Sequence, residues 1–200
     1  MDKVDLSHTY QFWFGGQPCT EATAGERVRF WMEQSEETDK VIRRRFGHLI
    51  AAAAGQMWAS EQLSRQEAIA LVVLFDQFPR NIHRASAEAY AYDPLARDLA
   101  RTMVADGWEA YETLEQFTLG LPFVHHEDLD DQNYILGLAE GRLVAASAES
   151  RPLWQPTVDQ IRKHHDIIAR FGRFPHRNDV LGRQSTVEER AFLSSSGRGF

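Results

Sequence analysis

The sequence predicts an all-α protein, a single domain over residues 1–200 built from packed antiparallel helix pairs. Three observations predict it. Apolar residues recur at spacings of three and four in one segment after another. Ser, Thr, Asp, Gly and Pro stand where helices start and stop. No segment alternates polar and apolar residues as a half-buried strand does, and the connections are short.

The elements follow in order. Leu6, Tyr10, Trp13 and Phe14 share one face of a short first helix that stops at Gly15-Gly16. A second segment begins around Phe30 and Trp31. Val41, Ile42, Phe46, Leu49 and Ile50 form the apolar face of a helix over 38–54, closed by Gly55. Ser64 and Glu67 form a capping box, in which each side chain satisfies an orphan backbone N–H near the other. The helix they open runs to Gln77 and is apolar nearly all round over 68–75. Such a helix has to be covered on every side, so it is the centre of the fold. Asp93 then caps a helix with Pro94 at its first position, running to about Ala105 and ending near Gly107. Thr113 starts a short helix closed by Gly120-Leu121-Pro122. Long helices follow over 128–148 and 157–171. Ser185 and Glu188 form another capping box, before a last helix ending near Leu193.

Bulk properties exclude several roles. Two hundred residues, 43% hydrophobic and 26% charged, suit one domain with a sizeable core. The longest apolar run, 68–75, is far short of the roughly 20 residues that span a bilayer. No basic stretch followed by an apolar one opens the chain, so no secretory signal is visible. The single Cys19 excludes an internal disulfide and, with the start of the chain, fits a cytoplasmic location. A net charge of −7 argues against nucleic acid as a partner, which needs a basic footprint. The one basic stretch is 162–183.

Three polar phrases stand out from this pattern. They are Asp76-Gln77-Phe78-Pro79-Arg80-Asn81, then His125-His126-Glu127-Asp128 running on to Gln132, then His164-His165-Asp166 followed by Arg170-Phe171-Gly172-Arg173-Phe174-Pro175-His176-Arg177-Asn178. Each sets ionisable groups among bulky apolar residues beside a helix-stopping Pro or Gly. That mixture suggests polar groups gathered at helix ends around a concavity. His125 and Glu127 are a candidate proton-transfer pair, the carboxylate orienting the imidazole. Ile161, His164, Ile168 and Phe171 share a helical face, so His164 points inward, while His165 is turned about 100° away. Asp76, Gln77, Arg80, Asn81, Gln132, Arg173, His176, Arg177 and Asn178 are candidate ligand contacts, and the guanidinium groups suit a small anion. A structural network of buried ion pairs and caps explains many of the same residues.

The sequence assigns no metal and names no cofactor. Asp76, His125, Glu127 and His164 carry ligand atoms, but there is no His-Glu-x-x-His. Gly-x-Ser-x-Gly and phosphate-loop motifs are absent too.

Phe12-Trp13-Phe14-Gly15, the phrase from Asp76 to Asn81, Leu121-Pro122-Phe123 before His125 and Glu127, and 170–178 with Leu181-Gly182-Arg183 resemble a bacterial family, domain of unknown function 924. The resemblance covers nearly the whole chain. It implies an all-helical fold similar to tetratricopeptide repeats and implies no activity. His126 stands where the family has Ser, and His165 where it has Arg; His125 and His164 match it. Two readings therefore remain open. One is a pocket for a small anion, with acid–base chemistry at His125, Glu127 and His164. The other, by fold analogy, is a module that binds a protein or peptide over a purely structural polar network.

Overall fold

A computed structural model describes residues 5–15, 21–56, 58 and 63–195. Ten α-helices are found among them, with short 3₁₀ turns between, and no β-strand. No helix among the described residues is long and apolar enough to cross a membrane. Contacts group the chain into two compact units, residues 1–84 with 88–123, and 124–200 with 85–87.

The first unit holds α1 (Ser7–Phe14), α2 (Glu21–Met32), α3 (Glu36–Ala54), α4 (Arg65–Val72), α5 (Phe78–Ile82), α6 (Asp93–Ala105) and most of α7 (Thr113–His125). Helix α1 ends at Gly15, whose φ of 85° is left-handed. That conformation is what requires glycine; a Cβ there would also lie 3.0 Å from the Arg27 guanidinium, the movable end of a long side chain. Arg27 donates to the carbonyls of Phe12 and Trp13, and Trp31 Nε1 to Trp13, which satisfies the orphan acceptors of that helix end. Helix α2 therefore ends at Met32 instead of beginning around Phe30. Gly16 and Cys19 lie outside the described residues.

Ser35 caps α3 through Oγ, accepting from Thr38, so this helix begins two residues before the expected 38. The capping box of Ser64 and Glu67 opens α4. Residues 69–74 have no exposed surface. The chain does not stop at Gln77. Residues Val73–Gln77 form a π-helical turn, in which the Phe78 N–H donates to the Val73 carbonyl, and α5 continues from it. Pro79 supplies the physical reason. It has no N–H for the Phe75 carbonyl and its ring would crowd that carbonyl, so a widened turn relieves the clash.

Two further boundaries differ from expectation. Asp93 is the first residue of α6, with Tyr92 in the capping position, and its carboxylate is taken by Arg80 instead. Helix α7 runs through Pro122 to His125. Leu119, Phe123 and Val124 are buried around the proline, and that packing outweighs one lost backbone bond.

The second unit holds α8 (Leu129–Ala145), α9 (Arg151–Phe171) and α10 (Val187–Ser195). Asp128 caps α8, accepting from the N–H groups of Asp130 and Asp131. Helix α9 starts six residues before the expected 157 because Pro152 suits a first turn. It ends at Gly172, φ 65°. The pairs Arg162–Glu140 and His165–Asn133 advance along α9 as they retreat along α8, so the two are antiparallel. The cap of α10 is displaced by one residue. Thr186 and Glu189 exchange the capping bonds, at 2.6 and 3.1 Å, while Glu188 turns out to Arg170. The two Ser/Thr-x-x-Glu registers overlap, and burial of Glu189 selects between them.

Candidate functional site

In the first unit, Asp76 rides on the π-turn with its side chain fully buried. Arg80, one turn on, meets Asp93 in a two-pronged pair at 2.8 Å for each bond. The same guanidinium donates to the Asp76 carbonyl at 2.6 Å and lies 3.3 Å from its carboxylate. Gln77 donates to the other Asp76 oxygen. Burial works against the Arg80 charge, but Asp76 and Asp93 more than offset it and hold its pKa above the ordinary value. Asn81 donates to Asp39 at 2.9 Å, and Asp39 also takes Arg84. All four candidates of the first phrase thus have polar partners, Asp76, Gln77 and Arg80 in one network with Asp93 and Asn81 in another with Asp39.

In the second unit, the turn after α9 brings a different set together. Phe174 is fully buried and serves as the hub. The His164 ring sits 5.6 Å from it edge-on, the His176 ring 5.6 Å from it, and the Arg177 guanidinium 4.5 Å over its face. His164 Nδ1 lies 2.9 Å from the Gln160 carbonyl of its own helix. Burial lowers the His164 pKa to about 4 against the Gln160 hydrogen bond, which raises it, and His125, Arg177 and Lys163 add smaller pushes downward. Burial likewise lowers His176 to about 4, with Arg177, His164 and Arg183 adding to it and Glu127 opposing. Both imidazoles are therefore neutral at pH 7, chiefly because they are buried.

Glu127 belongs to this set through Arg183 and the Phe174 backbone. Its oxygens take two bonds from Arg183, at 2.5 and 2.9 Å, and one from the Phe174 N–H at 2.8 Å. Burial alone would raise its pKa, but these donors and Arg177 keep it below the ordinary value. The pair ties the start of α8 to the turn that carries Phe174. Arg183 also lines an open groove of about 520 Å³, with Asp179, Ser185, Arg190 and Leu193 among its walls.

The remaining candidates brace the scaffold. Arg173 pairs with Glu189 at 2.6 and 2.9 Å and donates to the Gln184 carbonyl. That pairing brings the Glu189 pKa down to about 2. Asn178, fully buried, donates to Ser185 Oγ and Glu189. Gln132 donates to the carbonyls of Val124 and His126, both at 2.9 Å, closing the end of α7.

Comparison with known proteins bears on the whole chain. A family model described as a bacterial protein of unknown function, DUF924, matches residues 9–197. The chain belongs to this family. One solved structure, a protein of unknown function designated ATU0120 from Agrobacterium tumefaciens, is similar at 31% identity and a TM-score of 0.76. The alignment covers 95% of this chain and 97% of that one. Comparison with curated proteins gives no match.

Sequence reasoning left Asp93, Arg183 and Glu189 out of the polar networks of this DUF924 chain. A signal existed for one of them. Glu189 stands three residues after Thr186, which is a capping-box spacing in its own right. Asp93 looked like a cap, and the reach of Arg80 across 13 residues leaves no mark in the sequence.

Proposed function

We propose that this DUF924 protein binds a small anion, a carboxylate or phosphate, at the imidazole cluster of its second unit. The observation that supports this most is the electrical environment of His164 and His176. Burial is the largest cause of the low proton affinity of each imidazole, and nearby cations add to it. Arg177 acts on both, Lys163 on the first and Arg183 on the second, against Glu127. A positive potential that disfavours a proton favours an anion. The Arg177 guanidinium carries N–H donors of the kind an anion takes, whereas neutral His164 spends its one N–H on the Gln160 carbonyl.

The same values favour binding over acid–base catalysis by His164 in the free protein. An effective general base has a pKa near the working pH. An imidazole at about 4 is a weak base at pH 7. A bound anion would raise it, so binding should draw a proton into the site.

The experiment is calorimetry and thermal melting of the wild type with phosphate, acetate, succinate and citrate at pH 7. At least one of these should bind, with an enthalpy that depends on the buffer because protons are taken up. Arg177→Gln and His176→Gln should each lose that binding, while Arg173→Gln should keep it. If none of the four anions binds at millimolar concentration, or the first two variants bind as well as wild type, the reading fails.

A further inference from the structure

The turn between α7 and α8 carries a second group of donors, which the anion site does not use. His126 Nδ1 lies 2.6 Å from Asp131 Oδ2. The carboxylate of Asp128 completes the group, and one donor atom from each of the three lies within 4.8 Å of the others. We propose that His126, Asp128 and Asp131 form a site for a divalent ion of borderline softness, such as Zn²⁺, Co²⁺ or Ni²⁺.

The imidazole is what separates this group from an ordinary acidic helix start. Carboxylates alone would suit Mg²⁺ or Ca²⁺, whereas a nitrogen donor selects transition ions. Two of the donors are already positioned. Asp131 has no exposed surface and is fixed in the first turn of α8. Asp128 is held by the two N–H groups that its Oδ1 accepts, and among the described residues its Oδ2 has no hydrogen-bond partner. Nε2 of His126 has none either, and the His126 side chain is 36% exposed, so an ion has a path from solvent.

The distances are within reach. Donors at about 2.1 Å from a tetrahedral ion sit about 3.4 Å apart. The His126–Asp131 contact must open by under about 1 Å and the widest separation must close by about 1.4 Å to meet that spacing. A half-exposed imidazole can make both adjustments.

Charge points the same way. Asp128, Asp130 and Asp131 lie within four residues, and Glu127 is already matched by Arg183. The positive end of α8 offsets about half a charge of the three carboxylates. Three protein ligands would leave the remaining positions of the ion to water or an anion. The ligands must be unprotonated to bind it, so affinity should fall on acidification. The site does not rest on the imidazole cluster, and either could fail alone.

The test uses the full chain without a histidine tag, stripped with chelator and titrated with ZnCl₂ by calorimetry and with CoCl₂ by visible absorption. One equivalent should bind, and Co²⁺ should show the strong visible bands of a low-coordinate site. His126→Ala should weaken binding by about tenfold or more, and so should Asp128→Ser, which retains a capping oxygen. His164→Gln, in the imidazole cluster, should bind as wild type does. Melting curves verify that each variant is folded. Absence of stoichiometric binding overturns the proposal. So does a loss confined to His164→Gln, which would move the ion to the other cluster, or equal binding by all variants, which would mean adventitious ions only.

Discussion

The polar network around Arg80 and the cluster around Phe174 are built from similar residue types and behave oppositely. In the first, a cation meets two carboxylates directly, and its charge is reinforced by them. In the second, burial holds the imidazoles neutral and nearby cations add to it. Burial and polarity are common to both and so do not identify a site. The difference is what sets the charge state: carboxylates facing the cation directly at Arg80, burial with nearby cations at His164 and His176.

The largest test of that contrast is Arg80→Ala. It leaves Asp76 fully buried beside Asp93 with their shared cation gone. Breaking a buried pair from one side costs about 3–5 kcal/mol, and urea denaturation should show a loss of that size. Arg177→Gln should cost clearly less, since it relieves as well as removes charge near His164 and His176. A loss under about 1 kcal/mol for Arg80→Ala would show that the network is not structural and would erase the distinction.

The second test is pH. A histidine with a folded pKa of about 4 and an ordinary value of 6.5 binds its proton more readily when unfolded. The unfolded chain therefore gains protons first as pH falls, and stability declines from about 6.5 down to about 4. Above that window the contribution is complete. The paired carboxylate Glu189 acts in the same direction but lower, between the usual carboxylate range and about 2. Denaturation midpoints at pH 8, 6 and 4.5 should fall steadily in the wild type. They should fall less in His164→Gln, and least in His164→Gln with His176→Gln. A double variant with the wild-type slope would remove the imidazoles from the account.

How much was legible in the sequence follows from the range of each interaction. Periodicity and caps located most helices, because they act within a turn or two; Ser64 with Glu67 and the apolar run at 68–75 are examples. Prolines misled in both directions. Pro122 lies inside α7 and Pro79 sits past a π-turn, since tertiary packing outweighs a missing backbone bond. Within the second unit, His164, His176 and Arg177 were named from spacing and composition, and they share one aromatic ring. Their sequence neighbours Arg173 and Asn178 looked equivalent and instead brace α10 through Glu189. No local signal separates Arg173 from Arg177, because the separation is made by which way the turn after Gly172 faces.

The smallest test concerns the adjacent histidines of α9. Helical spacing turns His164 toward Ile161 and Ile168 and His165 away from them. His165 is not free in solvent, however; it bridges to Asn133 of α8 at 3.0 Å and to Asp166 at 3.1 Å. Both of those partners are exposed to water, so His165→Ala should cost no more than about 1 kcal/mol. His164→Ala removes a contact with Phe174 and a bond to the Gln160 carbonyl, and should cost about 1–3 kcal/mol at pH 8. The gap should narrow at pH 5. There the wild type is already weakened by the pull of protons toward the unfolded state, and the variant lacking His164 is not. Equal losses at the two positions at pH 8, or a gap that widens on acidification, would show that His164 is not held neutral against Phe174.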